Sequence, residues 1–258
     1  MLFLVYNLLF GLSPINVSYF ANLIGLAYCN ESVLLQNTCV HCSPEFEYVK
    51  RIQKANIVAV IMKNQSHLIL SFQGSVVTAD WLLDAQILLV TLPKIPFYSS
   101  EIDSVYQPTA KVHQGFRNGY LKIRTQVQTI LTKYQLPVVI LGHSMGSSIA
   151  TIAAVDISQH LPVQLIGAES PRTGNAAFIS LLESRVSFIY RMTNMNDIVP
   201  FLPGLRLGYR HSKNEIWLNG TEAVFCEQPE DTKCITSTYP NNNMAHHAYL
   251  GAINVGGC

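Results

Sequence analysis

A serine flanked by glycines carries the strongest chemical signal in this sequence. Residues 142–146 read Gly-His-Ser-Met-Gly, the Gly-x-Ser-x-Gly pattern in which a serine stands on a sharp turn between a strand and a helix. The two glycines leave space on either side of the strained serine, where larger side chains would collide. The pattern therefore predicts that Ser144 is the nucleophile of an acyl-transfer reaction.

A serine nucleophile needs a base, and the base needs an orienting acid. Where this elbow occurs, the acid follows the serine in the chain and the histidine comes last. The downstream acids considered are Asp156, Glu169, Glu183, Asp197 and Glu215. Asp156 is twelve residues into the following helix, about 18 Å from the serine by helical rise. Asp197 directly follows a predicted strand at the expected edge of the sheet. We predict that it is the acid; the alternative is a residue that only caps a turn.

The base is expected near the end of the chain, where His246 and His247 are adjacent. Chain order alone does not choose between them. His211 precedes a strand-like segment, so a structural role is expected, and His143 should point to the far side of the turn from the nucleophile. The other histidines are upstream or peripheral and are explained by packing or solvent exposure: His41, His67, His113 and His160.

Acyl transfer also needs hydrogen-bond donors for the developing oxyanion. One is expected to be the backbone N–H of Met145, the residue after the nucleophile. The second is predicted to be the N–H of Ser75, because Gly74 allows close approach of the backbone at the end of an earlier strand. The alternative is that Gly74 and Ser75 only form a turn.

The segments around these residues alternate between strand and helix patterns. Helices are predicted over 18–28, 115–134, 145–158 and 174–184, and strands over 57–62, 67–72, 137–141, 162–167 and 186–193. Such alternation is typical of an α/β fold with a mostly parallel sheet, helices on both faces and right-handed crossovers. Ligand chemistry in these sheets gathers at the carboxyl ends of the strands, where Ser144 is placed.

Length and composition favour one domain. The chain has 258 residues, of which 49% are hydrophobic and only 13% charged, so a large apolar core is available. The net charge of +1 gives no electrostatic reason to expect a nucleic-acid partner. Residues 1–18 are predicted to be a secretory signal segment, and residues 19–258 a single domain. An N-terminal buried strand or helix is the alternative for the first segment.

Secretion is also compatible with the glycosylation sequons at Asn16, Asn30, Asn64 and Asn219. Spacing of the six cysteines suggests local disulfides Cys39–Cys42 and Cys226–Cys234, which leaves Cys29 with Cys258. A zinc or redox site at Cys39 and Cys42 is the competing interpretation, but no second paired Cys/His motif supplies further ligands. Disulfides indicate an oxidising compartment.

Segments spread from about Tyr28 to Cys258 resemble the fungal-type triacylglycerol lipases, the class 3 lipase family of Rhizomucor and Thermomyces type. The matching segments are 71–75 (Ser-Phe-Gln-Gly-Ser), 112–116 (Val-His-Gln-Gly-Phe), 142–146, 170–175 (Ser-Pro-Arg-Thr-Gly-Asn) and 196–203 (Asn-Asp-Ile-Val-Pro-Phe-Leu-Pro). Gln73 stands where the family has Arg, and Ser147 and Ser148 stand where it has smaller residues, which should modestly crowd the helix. The resemblance implies an α/β-hydrolase fold.

The same resemblance assigns site residues. The family's His-x-x-Tyr-Phe-Gly motif falls on His246, which favours His246 as the base and places His247 beside the groove. The cysteine layout resembles the Rhizomucor-type arrangement and supports the three pairings. Residues 76–88 correspond to a helical lid, in which Trp81 and Leu82 are predicted to contact lipid, with His143 also beside the substrate. An ordinary buried segment is the alternative to the lid.

These predictions combine into a secreted, monomeric serine hydrolase that cleaves carboxylic esters of glycerolipids at a lipid–water interface. No cofactor, metal, nucleic acid or transmembrane anchor is expected. The alternatives are a phospholipase, a mono- or diacylglycerol lipase, or a feruloyl-type esterase that uses the same residues. A non-catalytic lipid-binding protein is the alternative from a different functional class.

Overall fold

A computed structural model describes residues 14–75, 88–91, 109–220, 222–240 and 258. The helices are α1 (Pro14–Gly25), α2 (Glu31–Leu35), α3 (Gln114–Tyr134), α4 (Met145–Ile157) and α5 (Ala176–Arg185). The strands are β1 (Glu47–Lys54), β2 (Ile57–Lys63), β3 (Leu68–Phe72), β4 (Leu89–Thr91), β5 (Lys111–His113), β6 (Val138–His143), β7 (Val163–Ala168), β8 (Gly174–Asn175), β9 (Phe188–Asn194), β10 (Tyr209–Arg210), β11 (Glu215–Asn219) and β12 (Glu222–Cys226). Short 3-10 turns follow α1 and β9.

The centre of the fold is an eight-stranded sheet in the order β1-β2-β3-β6-β7-β9-β11-β12. Strands β3, β6, β7, β9 and β11 run parallel to their neighbours within this set, and the hairpins β1-β2-β3 and β11-β12 are antiparallel. The prediction of a mostly parallel sheet is confirmed. The parallel centre brings the carboxyl ends of β3, β6, β7 and β9 to one edge of the sheet.

Alternate residues of the central strands feed two separate apolar cores. In β6, Val138 and Ile140 pack with α3, α4 and α5, whereas Val139 and Leu141 pack with α1 on the opposite face. Strand side chains alternate between faces, so a strand covered by helices on both faces must be apolar throughout. This is the physical reason that β6 is a continuous run of Val, Ile and Leu.

Several short or polar strands have no counterpart in the sequence-based prediction. Strand β1 is an edge strand that pairs only with β2, and most of its side chains are exposed or half-buried. Its sequence therefore lacks the alternation of apolar and polar residues from which a strand is predicted. Strands β4, β5, β8 and β10 are two or three residues long and form a small second sheet, too short to carry a periodic signal.

Helix α1 extends across residue 18, the predicted end of the signal segment. Helix α1 begins at Pro14, and Val17 is buried in the core on that face of the sheet. A boundary after residue 18 would therefore divide α1, while residues 1–13 lie outside the described residues. Within the described part of the chain, no helix combines the length and the apolar character needed to cross a bilayer.

The six cysteines are all paired, as Cys29–Cys258, Cys39–Cys42 and Cys226–Cys234. The first pair joins residues separated by 229 positions and fixes the last residue beside the end of α1. Closing a loop of this length contributes about 5.5 kcal/mol to stability in the chain-entropy model. These are the pairs that the cysteine spacing suggests.

Candidate active site

Ser144 occupies a strained turn between β6 and α4. Its backbone has φ +54° and ψ −128°, a conformation that L-residues adopt only when the surrounding structure enforces it. The N–H of Ser144 donates to the carbonyl oxygen of Ala168 at 2.9 Å, and its carbonyl accepts the N–H of Ser147 at 2.9 Å. The turn is thus held by a neighbouring strand on one side and by the first turn of α4 on the other.

Gly142 and Gly146 are glycines because backbone atoms occupy the space of a side chain. A Cβ atom at Gly142 would lie 2.5 Å from the carbonyl oxygen of Gly146. A Cβ atom at Gly146 would lie 2.5 Å from the carbonyl oxygens of both Phe72 and Gln73. The close approach at Gly146 brings the end of β3 directly against the start of α4, which is where the two oxyanion donors are predicted.

We therefore expect Gly146→Ala to separate these two segments. The added methyl group must displace the backbone after β3, so kcat for ester hydrolysis should fall about 100-fold or more, the scale of losing one oxyanion donor. Overpacking should also lower the free energy of unfolding by about 1–3 kcal/mol. Steady-state kinetics and thermal denaturation measure the two effects.

Gly204→Ala is the matched control, because no atom of a described residue lies within 4 Å of a Cβ atom at Gly204. The backbone there has φ −65° and ψ 151°, which alanine also adopts. Its activity and melting temperature should equal those of the wild type. A Gly146→Ala protein with wild-type activity would contradict the placement of the oxyanion segment.

The end of β3 is tied to the elbow through Tyr28. The N–H of Gly74 donates to the Tyr28 hydroxyl oxygen at 3.0 Å, and that hydroxyl lies 2.6 Å from Nδ1 of His143. Burial raises the pKa of Tyr28 above its ordinary value. The hydroxyl therefore keeps its proton and can donate a hydrogen bond to Nδ1 of His143. The roles of Ser75 and Met145 as oxyanion donors, and of His143 beside the substrate, remain predictions.

Tyr28 was not identified from the sequence as a site residue. It is 115 residues from His143 in the chain and follows an apolar helix with no polar pattern to mark it. His143 is buried beside it, which agrees with the expectation that this histidine is not the base. Sequence reasoning gave no signal for this contact, because it depends on how α1 is placed across the sheet.

Asp197 lies in the loop after β9 and is completely buried, with 0% of its surface exposed. Its Oδ1 accepts the N–H of Val199 at 3.0 Å, and its own N–H donates to the carbonyl oxygen of Asn194 at 3.1 Å. The side chain therefore does cap a turn, as the alternative interpretation held. A buried carboxylate at the carboxyl edge of the sheet is also suited to orient an imidazole.

Arg172 anchors the loop that carries Asp197. Its N–H donates to the carbonyl oxygen of Leu202 at 2.7 Å, and its Nη1 donates to the carbonyl oxygens of Phe201 and Pro203. Its Nε and Nη2 bind both carboxylate oxygens of Glu230 at 2.8 Å. Burial alone would raise the pKa of Glu230, but the hydrogen bonds and charge of Arg172 bring it down to about 2.

His211 supports the same loop rather than acting as a base. It is buried, its Nε2 donates to the carbonyl oxygen of Pro200 at 2.7 Å, and its N–H donates to Glu230 at 3.1 Å. Burial, and then the charge of Arg191, lowers the pKa of His211 well below its ordinary value. The neutral ring is a fixed donor, as expected for a structural histidine.

Other predicted residues are placed away from the elbow or have structural roles. Asp156 binds Arg124, Tyr120 and Gln128 between α3 and α4. His113 caps α3 by accepting the N–H groups of Gly115 and Phe116, and burial lowers its pKa to about 4.

The two serines after the elbow are accommodated without displacing α4. The Ser147 hydroxyl takes up space left by Gly167, where a Cβ atom would lie 2.1 Å from it, and Ser148 donates to Pro171 at 3.1 Å. The expected crowding of the helix is relieved by that glycine.

The histidines and the lid fall on residues that the structure does not describe. His246, His247, Trp81 and Leu82 all lie outside the described residues, so their predicted roles stay predictions. Glu169, which was only one of several downstream acids in the sequence analysis, is instead completely buried at the end of β7.

Comparison with known proteins bears on the chemistry of this arrangement. A family model described as Lipase (class 3) matches residues 69–207, more than half of the chain. A lipase of Rhizomucor miehei is 26% identical over 94% of this chain and 69% of that protein. The secreted mono- and diacylglycerol lipase 1 of Fusarium solani is 25% identical over 91% of this chain and 75% of that protein.

Solved structures share the architecture. The Rhizomucor miehei lipase in complex with its propeptide superposes with a TM-score of 0.77 at 25% sequence identity. The alignment covers 94% of this chain and 81% of the solved chain. The fold predicted from the strand and helix patterns is therefore confirmed.

Proposed function

The chain belongs to the class 3 lipase family, and we propose that Ser144, Asp197 and His246 hydrolyse carboxylic esters of glycerolipids. Ser144 attacks the ester carbonyl while His246 takes its proton. Asp197 holds the imidazole in the correct tautomer and stabilises the imidazolium that forms. His246 then protonates the leaving alcohol, and water hydrolyses the acyl-enzyme by the same route.

The N–H groups of Ser75 and Met145 hold the oxyanion in this proposal. The close backbone contact between Gly146 and the residues after β3 supports this, because it keeps both segments at the elbow. Each donor in such a hole is commonly worth about 3–4 kcal/mol of transition-state stabilisation. Nothing in the proposed reaction requires a cofactor.

One observation carries the proposal: Ser144 is held at φ +54° at the end of β6, while the buried Asp197 follows β9, two strands away. Strain at a single serine is costly and persists where it serves a function. The same edge of the sheet thus presents a nucleophile and a buried acid, with the predicted base later in the chain.

Triacylglycerols at a lipid–water interface are the proposed substrates, and secretion as a monomer is the proposed state of the protein. The relatives named as lipases, including a secreted mono- and diacylglycerol lipase, support this choice. Hydrolysis of emulsified tri-, di- and monoacylglycerols, compared with phospholipid vesicles and a dissolved short-chain ester, assigns the preferred class. A preference for dissolved esters over emulsions would contradict an interfacial lipase.

The base is tested with a fluorophosphonate probe followed by peptide mass mapping. We expect labelling at Ser144 in the wild type, loss of labelling in His246→Ala, and labelling retained in His247→Ala. The two adjacent histidines are matched controls for each other, since both substitutions remove the same side chain. Labelling that survives His246→Ala but not His247→Ala would assign the base to His247, and no labelling of the wild type would contradict a serine hydrolase.

A further inference from the structure

Glu169 lies between the two strands that carry the proposed nucleophile and acid. Strand β7 pairs with β6 through Ala168 opposite His143, and with β9 through Ala168 opposite Met192. The next residues continue this ladder, because the N–H of Ser144 donates to Ala168 and the N–H of Glu169 donates to Met192 at 2.8 Å. Glu169 therefore sits at the same carboxyl edge as the reactive turn.

The side chain of Glu169 is enclosed with another carboxyl group. It has no exposed surface, and its carboxyl is in contact with the carboxyl of Asp197, which is also fully buried. Among the described residues, neither oxygen of the Glu169 carboxyl accepts a hydrogen bond of ordinary geometry, and the backbone N–H of Asn194 acts on it only weakly. Asp197, in contrast, accepts the N–H of Val199. If one of the two carries a proton, Glu169 is the one whose surroundings favour it.

The groups that face Glu169 reinforce this assignment. Burial raises its pKa well above the ordinary value, and the negative charges of Asp197 and then Glu215 act in the same direction. The charge of Glu215 is shared with Arg191 at 3.1 Å and with the Thr193 hydroxyl at 2.6 Å. The backbone N–H of Asn194 favours the ionised form, but its influence is the smallest.

A buried acid at this position is costly to the fold. Glu169 has φ +48°, a left-handed conformation that disfavours a side chain. Burial also removes the Glu169 carboxyl from water. As a carboxylate, it would lack a hydrogen bond of ordinary geometry from a described residue. No ion pair with a described residue offsets these costs, and the nearest polar group on which Glu169 can act is the carboxyl of Asp197.

We propose that Glu169 is a positioning residue for Asp197: as a neutral carboxylic acid it donates a hydrogen bond to the Asp197 carboxylate and shares that group's charge. This proposal rests on the proposed function of Asp197 as the acid of the triad. Two carboxyl groups in contact in a buried site retain one proton between them. The pair then presents a single negative charge, held in a fixed direction, to the imidazole.

The pair has a definite dependence on pH. Because the pKa of Glu169 is raised in the folded protein, its stabilising effect is complete below the ordinary pKa of a glutamate and declines as pH rises toward the folded-state pKa. Ionisation of Glu169 at alkaline pH removes the donor and places two negative charges in contact. Activity and stability of the wild type should therefore both decline on the alkaline side.

Two substitutions separate positioning from packing. Glu169→Gln keeps a neutral donor of the same size but does not titrate, so it should keep kcat at neutral pH within about threefold of the wild type. Its melting temperature relative to the wild type should rise steadily from about pH 5 to about pH 9, and its alkaline loss of kcat should be absent. Glu222→Gln, on the exposed edge strand β12, is the matched control and should follow the wild type at every pH.

Glu169→Met fills the same space without a donor. We expect kcat to fall roughly tenfold with an unchanged KM, the scale of one charge-assisted hydrogen bond. The acid limb of the kcat/KM profile should move to higher pH, because an Asp197 carboxylate that no longer shares its charge holds the imidazolium more strongly.

The inference is overturned if Glu169→Met matches the wild type in kcat and pH profile, or if Glu169→Gln keeps the wild-type alkaline loss. If Glu169→Met does not fold, the pH dependence of the melting temperature of Glu169→Gln is sufficient to test the inference. Asp197→Asn separates failure of the proposed function from failure of the inference about Glu169. If Asp197→Asn remains active, the proposed role of Asp197 is wrong. If Asp197→Asn is inactive while Glu169→Met behaves like the wild type, only the inference about Glu169 is overturned.

Discussion

Replacing Ser144 by alanine lowers kcat for ester hydrolysis about 10⁶-fold, the scale found when a serine nucleophile is removed from a triad. The substitution removes the atom that forms the acyl-enzyme and leaves the backbone of the turn in place. Hydrolysis of a chromogenic short-chain ester, together with fluorophosphonate labelling, measures the loss. Circular dichroism should show an unchanged fold, since the alanine side chain fits wherever the serine side chain does.

Ser144→Gly extends this test to the strain in the turn. Glycine adopts φ +54° without the penalty that a Cβ atom incurs, so this variant should be equally inactive but more stable than Ser144→Ala by about 1 kcal/mol. Thermal denaturation of the two inactive proteins isolates the strain from the chemistry. Ester hydrolysis by Ser144→Ala above about 1% of the wild-type rate would assign the nucleophile to another residue.

Replacing Asp197 by asparagine lowers kcat about 10⁴-fold, because the amide can donate to the imidazole and hold it in the wrong tautomer. The protein should remain folded, because asparagine replaces one of the two buried carboxyl groups, Asp197 and Glu169, and so relieves the repulsion between them. Single-turnover acylation with a chromogenic ester separates this loss from any change in binding. The acid limb of its pH profile should move to lower pH, because the imidazolium loses the neighbouring carboxylate charge.

Asp156→Asn is the counterpart with the opposite outcome. Asp156 accepts hydrogen bonds from Tyr120 at 2.6 Å and from Arg124 at 2.8 and 2.9 Å. Asparagine removes the carboxylate that pairs with the buried guanidinium of Arg124, which should lower the free energy of unfolding by about 3 kcal/mol. The folded variant should keep the wild-type kcat. If instead Asp156→Asn inactivated the enzyme and Asp197→Asn did not, the assignment of the acid would be wrong.

The elbow was predictable because its determinants are local. The apolar run of β6, the glycines at 142 and 146 and the apolar start of α4 lie within one continuous stretch, and each constrains the turn directly. The position of Asp197 was predictable for a related reason, since the parallel strands place the loop after β9 at the edge that carries Ser144. The cysteine pairs followed from short spacings that left one long pair.

Contacts between distant segments were not predictable. Tyr28 reaches His143 across 115 positions, and Arg172 reaches Glu230 across 58. Strand β1 carried no apolar alternation because most of its side chains are exposed or half-buried, so neither face needs to be apolar. No local pattern records which polar groups the folded sheet will bring together.

The sequence by itself determined the elbow that carries Ser144, the family to which the chain belongs and the alternation of strands and helices, because these depend on residue types at short spacing. Only the tertiary structure decided which carboxyl groups share a buried environment. Glu169 and Asp197 both follow strands, so the sequence presents them as similar candidates. Packing of β7 against β9 places them in contact, and their shared burial disfavours two negative charges, which is the basis of the different roles proposed for them.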